Sequence, residues 1–240
     1  MVIISKGADI PLSNLSKEEL NRLKVDLTVK PYGFGKEEVM PILNYKMVRK
    51  NGKSYLRVPI AYGESYADDN QLPITYTTVS NECSYPSKPN PNHPNAPEGQ
   101  DVLFRETTEL VANFSTCLVE SPTGSGKTVT ALNSVADLKT TCLILVPSEA
   151  LMNQWIEEIQ RHLGLSRNAI GIIQGAKCQW SKKRIVVGII HNVVQKKYES
   201  SFYKHFGMVV WDEADILGAR SFSKSMFLFP AKYKLSLIHI

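Results

Sequence analysis

Nowhere in the 240 residues is there an apolar run of the ~18 residues that would cross a bilayer as a helix. The opening Met1-Val2-Ile3-Ile4-Ser5-Lys6 is too short an apolar stretch for a secretory signal. Cysteine is sparse. Cys83, Cys117, Cys142 and Cys178 stand far apart and show no paired metal-ligand spacing, so no metal cluster is expected. Cys117 and Cys142 fall in predicted core strands, where a reduced thiol acts as a small hydrophobe, and a reducing, cytoplasmic setting follows. There is no internal repeat. Neither sign of charge dominates: 28 Lys and Arg against 23 Asp and Glu leave +5, which permits a nucleic-acid partner without demanding one.

What is present is ordinary globular material, 43% hydrophobic for a core and 21% charged to cover it, at a length that suits two small domains. Five of the 13 prolines lie between Pro86 and Pro97. Proline breaks helices and lacks the donor for sheet pairing, so residues 85–98 read as an extended connector between residues 1–84 and 99–240.

The first part predicts a small mixed α+β domain. Ser16-Lys17-Glu18-Glu19 is a capping box flanked by a Leu15/Leu20 staple, so a helix starts there. Asn51-Gly52 between two apolar-rich runs predicts a hairpin. The stretch Lys46 to Arg57 holds five basic residues and no acidic one, and seven of the ten tyrosines lie in the first 85 residues. Two readings stay open. Arg49, Lys50 and Lys53 could contact phosphates beside aromatic stacking partners, or the tyrosines form a core and the hairpin is a solvated tip.

The second part alternates strand and helix, which predicts a parallel sheet with helices on both faces. Strands are expected at Thr116–Glu120, Thr141–Val146, Ile170–Ile173, Ile185–Ile190 and Gly207–Trp211, the last being the final clear one. A helix over Gln100–Val111 would bury Leu103, Thr107 and Leu110, and another would bury Leu151, Met152, Trp155, Ile156 and Ile159. Ser121-Pro122-Thr123-Gly124-Ser125-Gly126-Lys127-Thr128 lies between a strand and a helix. A turn of this kind aims backbone N–H groups into one hollow at a helix N-terminus, a cradle for phosphates. Lys127 would lie along the β- and γ-phosphates of a nucleotide, and the Thr128 hydroxyl would bind Mg²⁺. Asp212-Glu213-Ala214-Asp215 ends the last strand, at the edge where open α/β sheets bind ligands. Asp212 would hold Mg²⁺, and Glu213 would activate the water that attacks the γ-phosphate.

With these motifs placed, residues 100–235 resemble the first RecA-like, P-loop NTPase domain of a superfamily 2 helicase. Ser121–Thr128 matches its motif I and 212–215 its motif II, while Leu145-Val146-Pro147-Ser148-Glu149-Ala150-Leu151-Met152-Asn153-Gln154-Trp155 is similar to motif Ia of the XPB-like branch. That branch includes phage helicases acting on branched DNA. A DEAD-box RNA helicase has the same acidic letters but a different motif Ia. The resemblance implies ATP and Mg²⁺ as cofactors, DNA as partner and DNA unwinding or branch migration as activity, in a cytoplasm that for a phage protein is the host's. It further implies that Gln100 reads adenine, that Asp215 couples the site to other parts, and that Ser148, His191 and Asn192 touch the DNA backbone. Lys30-Pro31-Tyr32-Gly33 and Leu56-Arg57-Val58-Pro59 are similar to places in the leading domain of such helicases. Motif III, expected after Lys232-Tyr233-Lys234-Leu235, is not found, nor is a second RecA-like domain with its arginine fingers. Residues 235–240 therefore read as non-native, with a divergent but genuine strand as the alternative, and the chain as an N-terminal fragment. The competing functions are the motor of a restriction system and a non-catalytic nucleic-acid-binding module. Lys182, Lys183, Lys196 and Lys197 are read as solvated in preference to DNA contacts.

Overall fold

A computed structural model describes residues 1–29, 41–93, 95–214 and 224–239. Lys30, Pro31, Tyr32, Gly33 and Asp215, singled out above, lie outside the described residues. The chain forms two units, Met1–Thr78 with Met226–Pro230, and Val79–Ser225 with Ala231–Ile240. Among the described residues no helix is long and apolar enough to cross a membrane.

The first unit is built on strands β1 (Val2–Ile4), β2 (Ala8–Pro11), β3 (Thr28–Val29), β4 (Ile42–Leu43), β5 (Lys46–Lys50), β6 (Lys53–Val58) and β7 (Ile74–Tyr76), with helices α1 (Lys17–Asp26) and α2 (Ile60–Asp69). Five strands form one sheet in the order β5-β6-β2-β1-β7, and β3 pairs with β4 apart from it. Side chains alternate across a strand, so Val2, Ile4, Ala8, Ile10, Leu56 and Val58 share a face. They are fully buried in one cluster with Leu23 and Leu27 at the α1 end and with Ile60 and Ala67 of α2. Helix α1 starts where the capping box predicts: Glu19 N donates to Ser16 Oγ at 3.1 Å and Ser16 N donates to Glu19 Oε2 at 2.8 Å. The hairpin also forms, with Asn51 (φ 47°) and Gly52 (φ 76°) alone between paired Lys50 and Lys53. Two consecutive positive φ values match the twist of the strands they join.

The other sheet face carries a charge cluster that the sequence reading did not anticipate. Asp9 is fully buried and is gripped by Arg57 through Nε (2.6 Å) and Nη2 (2.8 Å) and by Lys50 Nζ at 2.6 Å. Of the three hairpin cations offered to phosphates, Lys50 is thus committed to Asp9, while Arg49 and Lys53 stand exposed. The tyrosines mostly serve the core: Tyr55 is buried, and Tyr45, Tyr62 and Tyr66 pack against the apolar cluster.

The second unit comprises α3 (Gln100–Phe114), β8 (Thr116–Ser121), α4 (Lys127–Asp137), β9 (Cys142–Val146), α5 (Glu149–Leu163), β10 (Gly171–Gln174), β11 (Lys177–Cys178), β12 (Ile185–Ile189), α6 (Ile190–Gln195), α7 (Ser200–His205), β13 (Met208–Trp211) and β14 (Tyr233–His239). The seven-stranded order is β11-β10-β12-β9-β13-β14-β8, parallel except for the edge strand β11. All five residues of β9 are fully buried. Successive side chains point to opposite faces, so both faces of the sheet are covered, as a parallel sheet flanked by helices requires.

Three expectations are revised. Helix α3 buries Gln100, Phe104, Thr107 and Val111, while Leu110 is 45% exposed. Leu103 packs half-buried against the core, so of the expected stripe Leu110 is the member that turns to solvent. Second, β13 is not the last strand: β14 lies between β13 and β8 and buries Leu235 and Leu237. Third, the stretch read as an extended connector between domains belongs, in its described residues, to the second unit, which begins at Val79. The Tyr85 hydroxyl donates to Thr140 O (2.8 Å), Ser87 Oγ donates to His162 O (2.8 Å), and Lys88 pairs with Asp137 (2.9 Å).

Candidate nucleotide site

Because β8, β9, β12 and β13 are parallel, their carboxyl ends share one edge of the sheet. That edge gathers most of the site residues expected from the sequence. Ser121 ends β8 and opens the glycine-rich loop, Ser148 follows β9, His191 and Asn192 follow β12, and Asp212 follows β13.

The loop is held by its own polar atoms. Ser121 Oγ and Ser125 Oγ lie 2.7 Å apart, and Lys127 Nζ donates to Ser121 O (2.5 Å) and Pro122 O (2.9 Å). Gly124 and Gly126 both sit at φ 82°, a left-handed conformation that L side chains rarely adopt. A Cβ on Gly126 would lie 2.0 Å from Gln100 Oε1. Gly126 is also the N-cap of α4 and brings no side chain to that helix end, so the first-turn amides face the loop. Thr128 is half-buried on the first turn. Gln100, 4% exposed, donates from Nε2 to Thr130 Oγ1 at 2.9 Å, and Thr130 Oγ1 donates to Gly126 O at 2.9 Å. Beside it opens a cavity of about 570 Å³, lined among others by Gln100, Gly124, Gly126, Pro97, His93 and Arg161.

Asp212 and Glu213 are buried, 6% and 9% exposed. Asp212 N donates to Leu145 O (3.0 Å), which anchors the acidic turn to β9. Glu213 holds φ 50°, an unusual backbone for a residue with a side chain. Asp212 Oδ1 accepts from Glu213 N (3.1 Å), and Asp212 Oδ2 accepts from Trp155 Nε1 (2.6 Å). Burial lowers the pKa of the Lys127 ammonium, while the carboxylates of Glu213 and Asp212 pull it the other way. The loop and the acidic turn therefore act on one another electrostatically, although β14 separates their strands.

The donor set fits a nucleoside triphosphate with a hard divalent cation. Backbone amides and one ammonium suit phosphate oxygens, and a hydroxyl with a carboxylate suits Mg²⁺. The nucleic-acid candidates are more scattered. Ser148 is exposed but already caps α5, accepting from Leu151 N at 3.3 Å. His191 is exposed and Asn192 half-buried. Arg49 and Lys53 belong to the first unit.

Sequence reasoning missed the Trp155–Asp212 bond and the part that His93, Asn95, Ala96 and Pro97 play in the cavity. The Asn-Gln-Trp of the α5 motif was the one trace of the former; packing alone reveals the latter.

The family model described as "Type III restriction enzyme, res subunit" matches residues 95–237. The chain is 29% identical over 143 residues to a protein of invertebrate iridescent virus 6 designated helicase 161L, covering 58% of this chain and 32% of that one. It is 25% identical over 227 residues to an Acanthamoeba polyphaga mimivirus protein designated an ATP-dependent RNA helicase, covering 93% of this chain and 42% of that one. It is 26% identical over 171 residues to a Haloarcula marismortui protein designated DNA 3'-5' helicase Rad25, covering 66% and 26%. The chain thus spans less than half the length of these relatives. A solved structure of T4 UvsW has the same fold, with a TM-score of 0.60 at 17% identity over 92% of this chain and 49% of that one.

Proposed function

This chain belongs to the family described as type III restriction enzyme, res subunit, within the superfamily 2 helicases, and on that premise we propose that it uses ATP hydrolysis to drive movement along, or opening of, DNA. The observation that carries the reading is the meeting of two separate sequence motifs at one sheet edge, where Glu213 and Asp212 act on the Lys127 ammonium. The amides at the α4 N-terminus bind phosphate oxygens, and Lys127 turns from the carbonyls of Ser121 and Pro122 to the same anions. Thr128 and Asp212 hold the metal, whose chemistry is to neutralise charge on the triphosphate. Glu213, kept buried at the strand end, accepts the proton of the attacking water at its carboxylate. Gln100 faces the cavity that receives the base. Ser148, His191 and Asn192, at the carboxyl ends of neighbouring strands, meet the nucleic-acid backbone, and Asp215 links the site to other parts of the machine.

DNA is preferred to RNA because the sequence after β9 follows the DNA-motor pattern, and the cytoplasm is the proposed setting. The family's description favours a second reading, the motor of a restriction system. Sequence-dependent DNA cleavage by the parent protein would distinguish it.

The test is Glu213→Gln. Binding of a fluorescent ATP analogue with Mg²⁺ should persist, while nucleic-acid-stimulated phosphate release falls by roughly 10²–10⁴, the scale of general-base catalysis. Equal turnover in both proteins would remove Glu213 from the mechanism. Forked DNA and RNA of the same sequence, compared as stimulators, decide the substrate.

A further inference from the structure

Trp155 stands in the second turn of α5, in a buried stripe otherwise made of Met152, Ile156, Ile159 and Leu163. Those neighbours would be satisfied by any large apolar side chain. The indole differs from them in one respect: it carries an N–H donor and no acceptor. That donor is spent on Asp212 Oδ2 at 2.6 Å, with Trp155 1% exposed. The other carboxylate oxygen, Oδ1, accepts from Glu213 N. An N–H group thus holds each of the two oxygens, and rotation of the carboxylate would break both bonds. A hydrogen bond to a charged group in a buried setting is among the stronger ones.

We propose that Trp155 is a positioning residue for nucleotide hydrolysis: its indole N–H sets the orientation in which Asp212 meets the metal. This rests on the reading of Asp212 as a metal-holding residue in the proposed function. The residue does not touch the nucleotide. It acts from α5, whose N-cap is Ser148, so one helix joins a candidate nucleic-acid contact to the carboxylate proposed to hold the metal.

The test separates the donor from the ring. Trp155 is replaced by benzothienylalanine, which keeps the bicyclic shape with sulfur in place of N–H, and in parallel by Phe. The dissociation constant of a fluorescent ADP analogue is measured with Mg²⁺ and again in EDTA, and thermal melting checks folding. The expected result is that the Mg²⁺-dependent gain in affinity falls about tenfold in the benzothienyl protein, the scale of one charge-assisted hydrogen bond. Affinity in EDTA should stay at the wild-type value and the melting temperature should change little. A benzothienyl protein that retains the full Mg²⁺-dependent gain would overturn the proposal and leave Trp155 as packing alone, with the nucleotide site intact. A wild-type chain that binds the nucleotide no better with Mg²⁺ than without it would overturn the metal site itself, and this proposal with it. Should the Phe variant fail to fold, ¹⁵N-tryptophan labelling of the unaltered chain gives the same decision. The Trp155 indole signal should move with Mg·ADP and not with ADP in EDTA; an unmoved signal counts against the bond's role.

Discussion

At Gly126 a single added methyl group meets two obstacles. The backbone is left-handed at φ 82°, and a Cβ would approach Gln100 Oε1 to 2.0 Å. Gly126→Ala should therefore cost about 1–2 kcal/mol from the backbone alone, and displace the Gln100 amide from Thr130. A lowered melting temperature together with lost nucleotide binding would show it; an unchanged melt would mean the loop has another conformation to use. Arg57→Ala leaves the carboxylate of fully buried Asp9 with Lys50 as its remaining charge partner and should destabilise the fold, by less than the ~3–5 kcal/mol that an uncompensated buried charge would cost. Urea denaturation measures that loss. Tyr198 makes a pH prediction. Burial first, then the neighbouring Cys178 and Tyr203, push its phenol up to about 12. The unfolded phenol ionises near ~10. The neutral form is thus favoured by folding, and its stability contribution is present below ~10 and is lost as pH rises through about 12. Tyr198→Phe should move the alkaline unfolding midpoint upward and remove a late component of the phenolate absorbance titration.

Elements governed by neighbours in sequence were legible before any fold was known. The hairpin follows from Asn51-Gly52, helix α1 from Ser16 and Glu19, and the strand, turn and helix around Lys127 from a pattern eight residues long. In each, the deciding interactions span a few positions. What escaped was decided by distant partners. Trp155 and Asp212 are 57 positions apart, and no local spacing announces their bond. Lys50 looked available for phosphate because Asp9, which holds it, comes from another strand. The proline-rich run read as a spacer because its anchors, Thr140 and His162, belong to a loop and a helix far downstream. Ser16→Ala tests the local class: losing the cap should cost ~0.5–2 kcal/mol, read as a lower melting temperature.

For the whole molecule, the sheet order brings two groups of candidate residues to one edge. The nucleotide candidates of 121–128 and 212–213 and the nucleic-acid candidates Ser148, His191 and Asn192 lie at the carboxyl ends of β8, β13, β9 and β12, with β14 as the spacer between the loop strand and the acidic strand. That arrangement has a consequence for synthesis. Among the described residues, strand β8 sits at the sheet margin and pairs with β14 alone, Thr116 facing Lys234. A ribosome adding ~5–20 residues per second needs on the order of ten seconds to travel from one to the other. Throughout that interval the strand begun at Thr116 lacks the ladder it has in the folded chain, and an unpaired strand edge is a template for pairing with other chains.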